Sequence, residues 1–198
     1  MAMRYRVVDL SDPDAFAAEC QRLLNYALKC EQFDTLVGIA TGGAWMVDSL
    51  RPDQSRYSIA TVACKRPNTK HKNRGRHFMH ALPRWLADLL RLFEAWYQEC
   101  AFERRQYKGR DPISLRRQIK IESESEAAIR KAERILILDD AIDTGETMHC
   151  VRLYLSELNP RVTLKTAVMT QTMKNPVAQP DFCLYRDALI RFPWSNDA

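Results

Sequence analysis

The stretch Ile135–Met148 reads ILILDDAIDTGETM, four apolar residues running straight into two adjacent carboxylates. An unbroken apolar run of that length suits a strand covered on both faces, the situation of a parallel sheet with helices above and below. A sheet with one wet face would need alternating polar residues instead. After the acids, Gly145 marks a turn, and Thr147–Leu158 carries helical spacing. Strand, acidic turn and helix therefore follow one another, and open α/β sheets place ligands at the carboxyl ends of such strands.

Other segments repeat the arrangement. DTLVGIA, Asp34–Ala40, reads as a second buried strand that ends in Thr41-Gly42-Gly43 and passes into a short helix over Ala44–Leu50. Tyr57–Cys64 supplies a β-branched strand and Val162–Thr170 another. Residues 14–32 form an amphipathic helix in which Phe16, Cys20, Leu23, Leu24, Ala27 and Leu28 share a face, with Ser11 or Asp12 as cap. Pro83 opens a long helix toward Tyr107, striped by Trp85, Leu89, Leu92, Trp96 and Cys100, and a polar helix falls within 113–132. The tail, Pro180–Trp194, holds two short apolar or aromatic stretches.

This order predicts an α/β protein with a mostly parallel central sheet flanked by helices. With 198 residues, the chain suits one domain over 1–198, in which 72–132 is a basic loop plus a helical insertion around residues 78–132. Charged residues interrupt every apolar run early in the chain, and nothing reaches the roughly 18 apolar residues that span a bilayer, so a soluble cytoplasmic protein without membrane partners is expected. The six cysteines show no CxxC spacing, which argues against a zinc ribbon or a thioredoxin-like motif. The formal charge of +5 is concentrated between Lys65 and His77, where Lys65, Arg66, Lys70, Lys72, Arg74 and Arg76 occur with no acid. That run suits either a solvated loop or an anionic partner, a phosphorylated small molecule or a nucleic acid.

The chemistry of the acidic turn narrows the choice. Thr144, Gly145, Glu146 and Thr147 begin a helix, where unpaired backbone amides and threonine hydroxyls favour a phosphate. Phosphate and carboxylate repel, so Asp139 and Asp140 need targets of their own. They either accept hydrogen bonds from vicinal hydroxyls of a sugar or help hold Mg²⁺. A sugar phosphate satisfies the whole motif.

ILILDDAIDTGET resembles the phosphoribosyl-diphosphate (PRPP) binding motif of the type I phosphoribosyltransferases, and the resemblance organises most of residues 34–194 while covering 72–132 poorly. It implies that Asp139 and Asp140 bind the ribose hydroxyls and sit beside Mg²⁺. It further implies that residues Thr144 to Thr147 cradle the 5′-phosphate, with the Glu146 side chain turned away. Asp143 would lie beside the acceptor base and handle its proton. Thr41, Gly42 and Gly43 would grip the diphosphate, although the family often has Lys or Arg where this chain has Thr41. Lys65 and Arg66 then become the catalytic cations that offset charge on departing pyrophosphate.

The tail PDFCLYRDALIRFPW is similar to the end of the small hypoxanthine- or xanthine-type purine enzymes. On that likeness Phe182 stacks on the acceptor with Tyr185 behind it, and Gln171 or Thr172 reads its edge in place of a lysine common in purine salvage. The implied reaction moves 5-phosphoribose from PRPP to a nucleobase-like acceptor and releases pyrophosphate, in a homodimer. A second reading is a PRPP- or nucleotide-sensing regulator that binds nucleic acid through 65–76; nucleic acid is the less favoured partner.

Overall fold

Strand β5, Arg134–Ile142, lies in the middle of a six-stranded sheet. Its residues alternate between two cores. Leu136 and Leu138 join Leu23, Leu24, Met46 and Leu50 on one face, while Ile135 and Ile137 join Ile129, Met148, Val151 and Leu155 on the other. The unbroken apolar run thus serves two helix layers at once, as a strand buried on both faces must. Expected to stop at Leu138, the strand continues through both acids to Ile142.

The structure, a computed structural model, describes residues 5–50, 56–64, 92–93, 97–104 and 118–195. In chain order the elements are β1 (Arg6–Asp9), α1 (Pro13–Leu28), β2 (Thr35–Ala40), α2 (Gly42–Ser49), β3 (Ser58–Cys64), β4 (Ile119–Ile121), α3 (Ser123–Lys131), β5, α4 (Glu146–Leu158), β6 (Thr163–Gln171), β7 (Phe182–Arg186) and β8 (Ala188–Arg191). Residues 97–104 are also helical. The sheet order is β4-β3-β2-β5-β6-β7, parallel throughout except for antiparallel β4.

Helix α1 starts where Asp12 accepts the Ala15 amide at 2.8 Å, with Pro13 at the first helical position. Both α1 and α2 cover the face of Leu136 and Leu138; α3 and α4 cover the other. The polar helix expected within 113–132 is α3, and Ile119–Ile121 before it joins the main sheet as edge strand β4 rather than belonging to a purely helical insertion. The expected stripe from Trp85 to Trp96 falls largely outside the described residues. No helix among the described residues is long and apolar enough to cross a membrane.

The short strands β1 and β8 pair in parallel as a separate two-stranded sheet. It is fastened beside the end of β6, because Thr170 Oγ1 donates to Ala188 O at 2.6 Å and the Asp187 amide donates to Gln171 O at 3.1 Å. Phe192 and Trp194 then stack at 4.9 Å between centroids, and Trp194 also stacks on Trp45 of α2 and meets Phe16 of α1 edge-on. These rings close the tail against the two helices that border the sheet's carboxyl edge.

Candidate active site

Strands β2 and β5 are neighbours in register from Thr35 opposite Ile135 to Gly38 opposite Leu138. Parallel pairing sends both carboxyl ends to the same edge, so the glycine turn after β2 meets the acids of β5. The contact is intimate. A Cβ on Gly42 would fall 2.1 Å from Asp140 Cγ, and one on Gly43 would fall 2.1 Å from Leu138 O. Glycine at both positions lets α2 begin this close to β5 with Asp140 and the Leu138 carbonyl undisturbed.

Asp139 is buried and Asp140 half-buried. Each carboxylate is oriented locally, Asp139 Oδ1 accepting the Asp140 amide at 3.1 Å and Asp140 Oδ1 the Ala141 amide at 2.8 Å. Four residues beyond Ala141, the turn bends through Gly145 at φ 79° and opens α4. Thr144 Oγ1 accepts the Glu146 amide at 3.4 Å. The backbone amides of Thr144 and Gly145 donate to no other described residue, which leaves donors at a helix start where an anion is favoured.

Asp143 projects from the same turn toward the chain beyond β6. Thr172 Oγ1 donates to Asp143 Oδ1 at 2.5 Å, and the Thr172 amide donates to Ile142 O at 3.0 Å. Asp143 Oδ2 has no partner among the described residues. The loop 172–178 continues past the turn, where Val177 N donates to Thr144 O at 2.8 Å, and Ala178 lies so close to Gly145 that a Cβ there would come within 2.7 Å of its amide nitrogen.

Two expected acceptor contacts take other positions. Phe182 is only 6% exposed and belongs to the core with Leu136, Leu138 and Ala167, its ring meeting Tyr26 of α1 edge-on at 5.5 Å. It packs in this core, where β7 turns it toward α1. Gln171 is buried and committed: its Nε2 donates to Met173 O at 2.9 Å and Lys174 O at 3.3 Å, while its Oε1 accepts from Arg186 Nη1 at 2.7 Å. It braces the loop instead of reading a base edge. Tyr185 likewise faces α1, donating to Glu19 at 2.8 Å, with the guanidinium groups of Arg6 and Arg22 over its ring. The roles of Thr172 and Arg186 as partners of Asp143 and Gln171 have no local signal in the sequence, since they depend on strands meeting.

Asp139, Asp140, Asp143, Thr144, Gly145, Glu146, Thr147, Thr41, Gly42 and Gly43 are therefore gathered at one sheet edge. Lys65 and Arg66 immediately follow β3 and lie outside the described residues, as do Lys70 to His77. As for a metal, no group of three or more acidic, histidine or cysteine side chains is assembled among the described residues. A pair of carboxylates without a full cage is the protein contribution Mg²⁺ commonly uses when phosphate oxygens and water complete its shell. Asp139 and Asp140 fit that donor set.

No family model matches the chain, and no curated protein matches it in sequence. Solved structures do match in shape. A xanthine-guanine-hypoxanthine phosphoribosyltransferase from Helicobacter pylori superposes with a TM-score of 0.57 at 13% identity, over 96% of this chain and 93% of that one. A purine phosphoribosyltransferase from Pyrococcus horikoshii gives 0.53 at 17% identity, over 95% and 93%. A hypoxanthine phosphoribosyltransferase from Staphylococcus aureus gives 0.51 at 13% identity, over 91% and 76%. With its sheet order, its glycine turn against β5 and its acidic strand end, this chain is built on the type I phosphoribosyltransferase fold.

Proposed function

We propose that this protein is a phosphoribosyltransferase that moves 5-phosphoribose from PRPP to a ring nitrogen of a purine-like base, releasing pyrophosphate. The observation that carries the reading is the close approach of Gly42 to Asp140, which brings the glycine turn after β2 against the carboxylate pair that leads into the α4 helix start. Asp139 and Asp140 accept hydrogen bonds from the ribose hydroxyls, and Thr144 to Thr147 receive the 5′-phosphate. Mg²⁺ beside Asp139 and Asp140 would neutralise charge on the diphosphate.

In the reaction the C1–O bond to the diphosphate breaks with its electron pair leaving on pyrophosphate, and a bond from the base nitrogen to C1 forms. The proton lost from that nitrogen passes to Asp143, whose Oδ1 accepts the Thr172 hydroxyl. Holding the two reactants in line and away from water supplies much of the rate. Lys65 and Arg66 then meet the growing negative charge of the leaving group. The protein works as a homodimer.

The test is a screen of nucleobases with PRPP and Mg²⁺, reading pyrophosphate release, with Asp140→Asn as control. Acceptor-dependent release that vanishes in a folded Asp140→Asn variant is expected. Salt-dependent nucleic-acid binding without any acceptor-dependent release would instead support the PRPP-sensing regulator.

A further inference from the structure

We infer that Glu99, on the helical segment 97–104, is a positioning residue for the acceptor side of the site, an inference that rests on the function proposed above. Its two carboxylate oxygens hold two distant pieces of chain. Oε2 accepts the hydroxyl of buried Tyr5 at 2.6 Å, and Oε1 accepts the backbone amide of Lys174 at 3.1 Å.

Each held piece leads to the site. Tyr5 immediately precedes β1, which pairs with β8, and β8 is fastened beside the end of β6. Lys174 sits in loop 172–178, two residues beyond the Thr172 that binds Asp143. The far end of the loop has its own anchors, because Val177 is bound to Thr144 and Ala178 is packed on Gly145. At the near end, Gln171 grips the carbonyls of Met173 and Lys174, and Glu99 takes the amide between them. Thr172 is tied to Ile142 by its own amide, and Glu99 steadies the chain two residues beyond it, so Glu99 contributes to how Thr172 meets Asp143. The phosphate turn keeps its independent bond to Val177.

Hydrogen bonds to an ionised carboxylate are among the stronger ones a loop can have, so losing this pair has a measurable local effect. In Glu99→Ala, amide exchange at Lys174 rises on the order of tenfold while Val177 stays protected. In turnover assays the same variant raises KM for the acceptor roughly tenfold and leaves the PRPP dissociation constant within about twofold. Glu99→Gln, which retains an acceptor for Lys174 and a partner for Tyr5, restores most of both signals. Tyr5→Phe removes one bond alone and gives a smaller shift in the same direction.

Unchanged exchange at Lys174 in Glu99→Ala overturns the tether whatever the enzyme does. Faster exchange with an unaltered acceptor KM overturns the positioning role. Equal losses for acceptor and PRPP, or failure of Glu99→Gln to rescue, also overturn it. If no base supports turnover in the native protein, the proposed function has failed and the positioning role falls with it, while the exchange arm still decides the tether.

Discussion

Replacing Gly42 with alanine inserts one methyl group into the contact that joins the two halves of the site. The new Cβ would stand 2.1 Å from Asp140 Cγ and 2.3 Å from Oδ2, so the carboxylate must retreat by about 1 Å or swing to another rotamer. The obstacle is the end of a side chain, and alanine suits the first turn of a helix, so stability falls by no more than about 1 kcal/mol. Binding suffers more. If Asp140 holds a ribose hydroxyl, that charge-assisted bond is worth about 1.5–3 kcal/mol, and its loss weakens PRPP binding roughly 10- to 150-fold. Gly43→Ala provides the contrast. Its Cβ would meet Leu138 O at 2.1 Å, a backbone atom with no rotamer to adopt, so the fold itself loses about 3 kcal/mol or more. Thermal melts and calorimetric PRPP titration with Mg²⁺ separate the two outcomes. A Gly42→Ala protein that binds PRPP as tightly as native would refute the assignment of Asp140 to the sugar.

Three further outcomes follow from the geometry. Asp143→Ala is expected to lower turnover far more than PRPP affinity, with Thr172→Val giving a milder change of the same kind; equal losses in kcat and PRPP binding would place Asp143 on the sugar side. Gly145→Ala forces a side chain into φ 79° and toward Ala178, destabilising the fold by about 2 kcal/mol or more in urea melts. Burial pushes the Cys20 thiol up to about 12, so it stays protonated and unreactive at pH 8, whereas exposed Cys30 is alkylated; mass spectrometry with and without denaturant checks this, and native labelling of Cys20 would contradict its burial.

The local devices of this fold were legible in the chain. Apolar runs announced β2 and β5, the spacing around Leu23 announced α1 with its Asp12 cap, and the order of acids, glycine and threonines announced the turn before α4. Such signals survive because they depend on residues within one strand or one helical turn. The strands β1 and β4 escaped, being only four and three residues long. Aromatic character misled at Phe182, since a ring that closes a core and a ring that stacks on a base look alike in sequence.

What the sequence alone determined is the chemistry available at the end of β5: two carboxylates, a third nearby, and a helix start suited to phosphate. Tertiary structure decided who stands opposite whom. Gly42 meets Asp140 because parallel neighbours deliver their carboxyl ends to one edge, and Gln171 is committed to its own loop because β7 brings Arg186 alongside. Glu99 holds Tyr5 and Lys174 because packing carried three remote segments together. A polar side chain's role is set by the partner that desolvates and orients it, and that partner is chosen by packing rather than by position along the chain.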